Sequence, residues 1–120
     1  MARILLAEDD NAVSTFVMRA LKLRGHDVVA VGDGLAALDA LNAGAFDLLL
    51  TDIVMPGMDG IALALKVSRD QPRMKILMMS GYAHERQRAH NLESLIHKVL
   101  PKPFSLDEVC KAVEEALGMP

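Results

Sequence analysis

The chain has 120 residues, 52% hydrophobic and 24% charged, with Lys+Arg 13 against Asp+Glu 16 and a formal net charge of −3. That is one domain's worth of polypeptide over 1–120, long enough to bury roughly two-thirds of its unfolded surface. The acidic balance argues against nucleic-acid binding, the single cysteine against a disulfide framework or a cysteine zinc cluster, and the lack of any apolar run of about 18 residues against a membrane span.

The first apolar run, Ile4–Ala7, has the length of a strand and is too short for a signal-peptide core, so a soluble cytoplasmic protein is expected. Val13, Phe16, Val17, Ala20 and Leu21 follow at helical spacing, and Gly25 stops that helix. Val28–Val31 reads as a second strand. Leu35, Leu38 and Leu41 read as the stripe of a second helix, closed by Gly44. Leu48–Leu50 is a third strand, and Ile61, Leu63, Ala64 and Leu65 mark a third helix that ends by Pro72. Ile76–Met79 is a fourth strand. The segment His84 to His97 holds three of the four histidines plus Arg86 and Arg88, and reads as a solvated polar helix. Positions 84, 90 and 97 share no helical face at metal-ligand spacing. Leu95–Leu100 is a fifth strand, followed by Pro101 and Pro103. The last helix carries Leu106, Val109, Cys110, Val113 and Leu117 on one stripe, and Ser105 with Glu108 opens it at capping-box spacing.

The strand runs are continuously apolar rather than alternating, which predicts burial on both faces of a parallel sheet. Strict β-α order with right-handed crossovers predicts an α/β fold, a doubly wound (βα)5 sheet with helices on both faces. Function in such sheets gathers at the carboxyl ends of the strands. Here those ends carry Glu8-Asp9-Asp10, Thr51-Asp52, Ser80-Gly81 and Lys102-Pro103, all expected on one edge.

Carboxylates about 5 Å apart repel by roughly 3 kcal/mol at an effective dielectric near 20, and a bound cation or a proton is the usual remedy. Oxygen donors in a small acidic pocket favour Mg2+, whose open positions are commonly filled by phosphate oxygens. Lys102 supplies a point charge for a phosphoryl oxygen, Ser80 a hydroxyl donor, and Asp52 a carboxylate nucleophile able to form an acyl phosphate. Taken singly these residues are weak signals. Taken alone, Asp9 and Asp10 read first as helix caps or first-turn dipole partners, Asp52 as a turn residue, Ser80-Gly81 as a loop and Lys102 as a solvated charge.

At these residues the sequence resembles the receiver domain of bacterial two-component response regulators. The resemblance rests on Ile4-Leu5-Leu6-Ala7-Glu8-Asp9-Asp10, on the stretch from Leu49-Leu50-Thr51-Asp52 through Met55-Pro56-Gly57 to Asp59-Gly60, on Ser80-Gly81 and on Lys102-Pro103-Phe104. It covers Arg3 to about Leu117. It implies the CheY-like strand order 2-1-3-4-5. It implies that Asp52 accepts a phosphoryl group from a sensor histidine kinase or a histidine phosphotransfer protein. Asp9, Asp52 and the Val54 backbone carbonyl would hold magnesium, with Glu8 assisting through water. Ser80 would be the switch hydroxyl, Lys102 the phosphoryl contact, Asp10 a cap, and the Lys102-Pro103 bond cis.

The sequence departs from the family at Val99, three residues before the lysine, where receivers usually carry a switch aromatic. A valine is short and stiff about χ1 and cannot swing as a ring does. Tyr82 is then either a substitute reporter or a side chain packed on the fourth helix.

The chain stops soon after its last helix, so a stand-alone receiver without an output domain is expected. Arg19, Lys22 and Arg24 offer a docking side for a kinase. Met78 and Met79 read as core, Met58 as an exposed contact and Cys110 as a buried thiol. The stretches Leu6–Val13, Gly60–Lys66 and Arg86–Glu93 resemble stand-alone receivers that serve a Clp-type ATP-dependent protease as adaptors in cell-cycle control. A phosphorelay intermediate or phosphate sink is the alternative. A magnesium-dependent hydrolase is disfavoured because Val54 replaces its second aspartate. Self-phosphorylation and dephosphorylation are the only catalysis expected.

Overall fold

The computed structural model describes residues 2–92 and 94–119. Glu93, the end of the third stretch just named, lies outside the described residues, as do Met1 and Pro120. Five parallel strands, β1 (Arg3–Ala7), β2 (Asp27–Val31), β3 (Leu48–Asp52), β4 (Lys75–Ser80) and β5 (Lys98–Pro101), form one sheet in the order β2-β1-β3-β4-β5. Between and after them run α1 (Asn11–Leu23), α2 (Gly34–Ala43), α3 (Gly60–Asp70), α4 (Ala83–Ala89), a short 3-10 turn (His90–Leu92) and α5 (Leu106–Ala116). This is the doubly wound α/β fold expected from the sequence, and the order reverses between β1 and β3.

The unbroken apolar strands are explained by two cores, one on each face. Ile4, Leu6, Leu48 and Leu50 meet Val17 and Leu21 of α1 and Val109 and Val113 of α5. Leu5, Ala7, Leu49 and Ile76 meet Ala37 and Leu41 of α2 and Leu63 and Val67 of α3. Successive strand side chains alternate faces, so a strand covered on both sides must be apolar at every position. Met78, Met79 and Cys110 are fully buried, and the Cys110 Sγ lies 3.5 Å from the Ala20 carbonyl oxygen. Burial pushes that thiol's pKa up, which keeps it protonated and unreactive.

Three sequence expectations are corrected. The fifth strand begins at Lys98 rather than Leu95, because the amides of Leu95 and Ile96 donate to the Leu92 carbonyl and turn the chain. The sheet-facing stripe of α2 is Gly34, Ala37 and Leu41, and Leu35 is exposed. Gly34 is forced there, since a Cβ would fall 2.2 Å from the Met58 carbonyl oxygen. Met58 itself is half-buried against the α2-α3 core rather than an exposed contact.

Caps position the loops at the functional edge. Asp10 accepts from the amides of Ala12 and Val13, Asp33 from Ala36 and Asp59 from Ala62, each closing a helix start on that edge. Ser105 and Glu108 form the expected capping box. Only α4, among the described residues, starts without a side-chain cap, at Tyr82.

Candidate functional site

Three strand ends and one loop converge at the carboxyl edge. Glu8 follows β1, Asp52 ends β3, Ser80 ends β4 and Lys102 follows β5. The loop after β3 is drawn in by Gly60, whose amide donates to the Ile53 carbonyl at 2.7 Å and where a Cβ would meet the Asp52 carbonyl oxygen at 1.8 Å. Gly57 adopts φ +76° at its turn. The Lys102 amide donates to the Ser80 carbonyl at 2.7 Å, and the Lys102-Pro103 peptide is cis.

The result is a cleft lined by Glu8, Asp9, Asp10, Asp52, Val54, Tyr82, Glu85 and Lys102. Lys102 Nζ lies 2.6 Å from Asp52 Oδ1 and 2.8 Å from Glu8 Oε1. Glu8 and Asp52 are buried, Asp9 is exposed, and one oxygen from each of the three lies within 4.8 Å of the others. Such a set of hard oxygen donors, part buried and part open to water, is able to hold a divalent cation. The second Glu8 oxygen accepts the Asp10 amide at 3.0 Å, which fixes the carboxylate.

Burial is the largest influence on all three central groups. It drives the Asp52 carboxyl up to about 8, reinforced by its hydrogen bond with Glu8 and opposed by Lys102. For Glu8, burial is outweighed by hydrogen bonds from Asp52, Lys102 and the Asp10 amide, and its pKa falls. For Lys102, burial is outweighed by the two carboxylates, and its pKa rises. Without a cation, the pair of acids therefore keeps one proton between them, on the Asp52 side, beside a charged lysine.

The predicted residues do not all meet. Glu8, Asp9, Asp52 and Lys102 form one cluster, and Val54 sits on the cleft wall, half exposed. Ser80 is buried behind the wall, with its Oγ 2.8 Å from both Glu85 Oε1 and the Tyr82 carbonyl oxygen. Asp10 is a cap. Tyr82 is exposed and stacks on His84, with ring centroids 5.6 Å apart, at the start of α4. Arg24 is bound to Asp107 and Glu114 of α5, so it joins α1 to α5. Glu85 gave no signal in the sequence, since an acid in a polar helix is ordinary.

A response regulator receiver domain model matches residues 4–114. The chain belongs to the response regulator receiver family. It is 41% identical over 117 residues to the response regulator receiver protein CpdR of Brucella abortus, covering 98% of each chain. It is 36% identical to part of the sensor kinase CckA of the same organism, covering 97% of this chain and 12% of that one. Among solved structures it is similar to the response regulator TrrA of Thermotoga maritima in complex with Mg(2+)-BeF, at TM-score 0.86 and 26% identity, covering 97% of this chain and 99% of that one. CpdR is the stand-alone receiver type to which the three sequence stretches point. No helix among the described residues is long and apolar enough to cross a membrane.

Proposed function

We propose that the chain, as one receiver over 1–120, is a phosphorylation-controlled binding switch with Asp52 as its phosphoacceptor. The observation that carries this reading is the buried Asp52 held at 2.6 Å by Lys102 inside a three-carboxylate cluster at the strand ends. The donor is a phosphohistidine of a sensor histidine kinase or a histidine phosphotransfer protein. Asp52 Oδ attacks phosphorus, the P–N bond of the donor breaks, and its electron pair returns to the imidazole nitrogen. Asp52 must shed its proton to solvent first, and Lys102 favours that loss. Lys102 and Ser80 then contact the phosphoryl oxygens. Asp9, Asp52 and the Val54 carbonyl, with Glu8 through water, would hold magnesium, which when bound neutralises charge on the carboxylates and on the transferring oxygens.

The output is a cytoplasmic partner, a Clp-type protease unfoldase and its substrates, engaged by the unphosphorylated form. Similarity to CpdR over the whole chain supports this. A pull-down with wild-type protein and Asp52→Ala, with and without phosphodonor, tests it. Enrichment of the unfoldase on Asp52→Ala and on untreated wild type, with loss on phosphorylation, is expected. Equal capture in all four states refutes it. The match to a segment of a sensor kinase favours a second reading, a phosphorelay intermediate. That reading requires rapid transfer back to a phosphotransfer histidine.

A further inference from the structure

Ser80 and Glu85 share a contact beside the cleft. Ser80 Oγ and Glu85 Oε1 are 2.8 Å apart, and both side chains are buried, at 1% and 8% exposure. The Ser80 hydroxyl has one proton. Its two acceptors in reach are Glu85 and the Tyr82 carbonyl, and it receives the Tyr82 amide at 3.2 Å. A phosphoryl group on Asp52 brings about two negative charges into the cleft that Glu85 also lines. Donation from Ser80 to that group removes the proton from the Glu85 contact, and like charge pushes the carboxylate outward.

Glu85 lies in the first turn of α4, the helix without a side-chain cap. The far end of α4 is tied by Arg88, whose Nη2 is 2.7 Å from Asp59 Oδ2, on the cap residue of α3. Of these two ties, only Ser80–Glu85 competes with a phosphoryl group. The neighbouring β5 position, Val99, has no ring to move.

We infer that Glu85 is a latch that holds the Ser80 hydroxyl and the first turn of α4 while Asp52 is unmodified, and that phosphorylation expels it and frees the start of α4. This rests on the reading of Asp52 as acceptor and Ser80 as donor. Glu85 is a positioning residue, acting through Ser80.

The test uses the full chain with magnesium and beryllofluoride, which mimics the phosphoryl group. Amide hydrogen exchange over 83–89 and the apparent beryllofluoride affinity are measured for wild type, Asp52→Asn, Glu85→Gln and Glu85→Ala. Exchange over 83–89 is expected to quicken on beryllofluoride binding in wild type. In Glu85→Ala it should be fast from the outset. Glu85→Gln, which keeps a hydrogen-bonding oxygen without the charge, should bind beryllofluoride on the order of tenfold more tightly. A merely structural role would leave affinity unchanged or lower it. If wild type binds no more beryllofluoride than Asp52→Asn does, the acceptor reading fails. If binding depends on Asp52 but Glu85→Gln gains no affinity, or wild-type exchange over 83–89 does not change, the latch alone is overturned.

Discussion

Asp52→Asn should make the protein more stable in the absence of divalent ions. Asp52 and Glu8 are both buried, with carboxylate oxygens within 4.8 Å, so two ionised groups there repel by roughly 3.5 kcal/mol at an effective dielectric near 20. Lys102, in short contact with both, offsets that repulsion, so the cost that remains comes chiefly from burying the ionised Asp52 carboxylate. The cost depends on pH. Asp52 titrates near 8 in the folded chain against an ordinary 3.8, so between these values the folded state binds more protons than the unfolded one. Stability from this group therefore falls as pH rises through that window, by up to about 1.4 kcal/mol per unit. Asparagine carries no such proton. The stability advantage of Asp52→Asn over wild type, from urea denaturation in EDTA, should grow by roughly 2.7 kcal/mol between pH 5 and pH 7, widening the melting difference by about 10 °C. Saturating magnesium should stabilise wild type by about 2.7 kcal/mol at a hundred times its dissociation constant and erase most of the gap. A difference independent of pH, or an Asp52→Asn protein less stable than wild type in EDTA, would refute the reasoning.

Two further substitutions check the surroundings of the site. Gly60→Ala should cost about 3 kcal/mol and disturb Asp52, because its Cβ would meet the Asp52 backbone oxygen rather than a movable side chain; thermal melts together with beryllofluoride binding would show it, and a wild-type-like melting point would count against the close approach. His26 is buried with neither ring nitrogen hydrogen-bonded, and burial, with Arg24 nearby, lowers its pKa despite Glu114. The unfolded state then takes up the proton first, so wild type loses stability as pH falls below about 6.5, and His26→Leu should lose less over the same range; parallel pH profiles for the two proteins would exclude this.

The fold was readable because its strands are buried on both faces. Ile4–Ala7 and Leu48–Leu50 are apolar at every position, a pattern a half-exposed strand does not show. Burial also made the acids conspicuous, since Glu8 and Asp52 terminate runs that otherwise admit no charge. The helices were harder to read. Leucine spacing placed Leu35 on the core stripe of α2, whereas the inner face is made by Gly34 and Ala37, and at Gly34 the Met58 backbone passes too close for any side chain. Such a close approach is a tertiary fact, and local spacing carries no trace of it. The fifth strand was overextended for a similar reason: Ile96 is buried, but in a turn hydrogen-bonded to Leu92.

Ser80 shows where residue identity and geometry part. Ser80 occupies the expected strand end, yet its Oγ is engaged with Glu85 and the Tyr82 carbonyl rather than exposed to the cleft. Lys102 sits only one residue beyond β5, its amide bonded to the Ser80 carbonyl and its ammonium 2.6 Å from Asp52. One end of the site is therefore preorganised, which suits the proposed phosphoryl transfer. On the proposed mechanism, the other end rearranges before Ser80 donates to a new anion. Val99 offers no ring and α4 no capped start, so the side-chain hold on the first turn of α4 is the Ser80–Glu85 contact. On the proposed function, a preorganised Asp52 next to a helix held by one contact is the arrangement by which a small chemical change at Asp52 becomes a change of surface. With Asp52 as the proposed acceptor and Glu85 as the proposed latch, the predicted swing in partner affinity is bounded by the Ser80–Glu85 contact and the charge repulsion that replaces it, a few kcal/mol at most, short of the roughly 5.5 kcal/mol that a 1:99 to 99:1 switch needs.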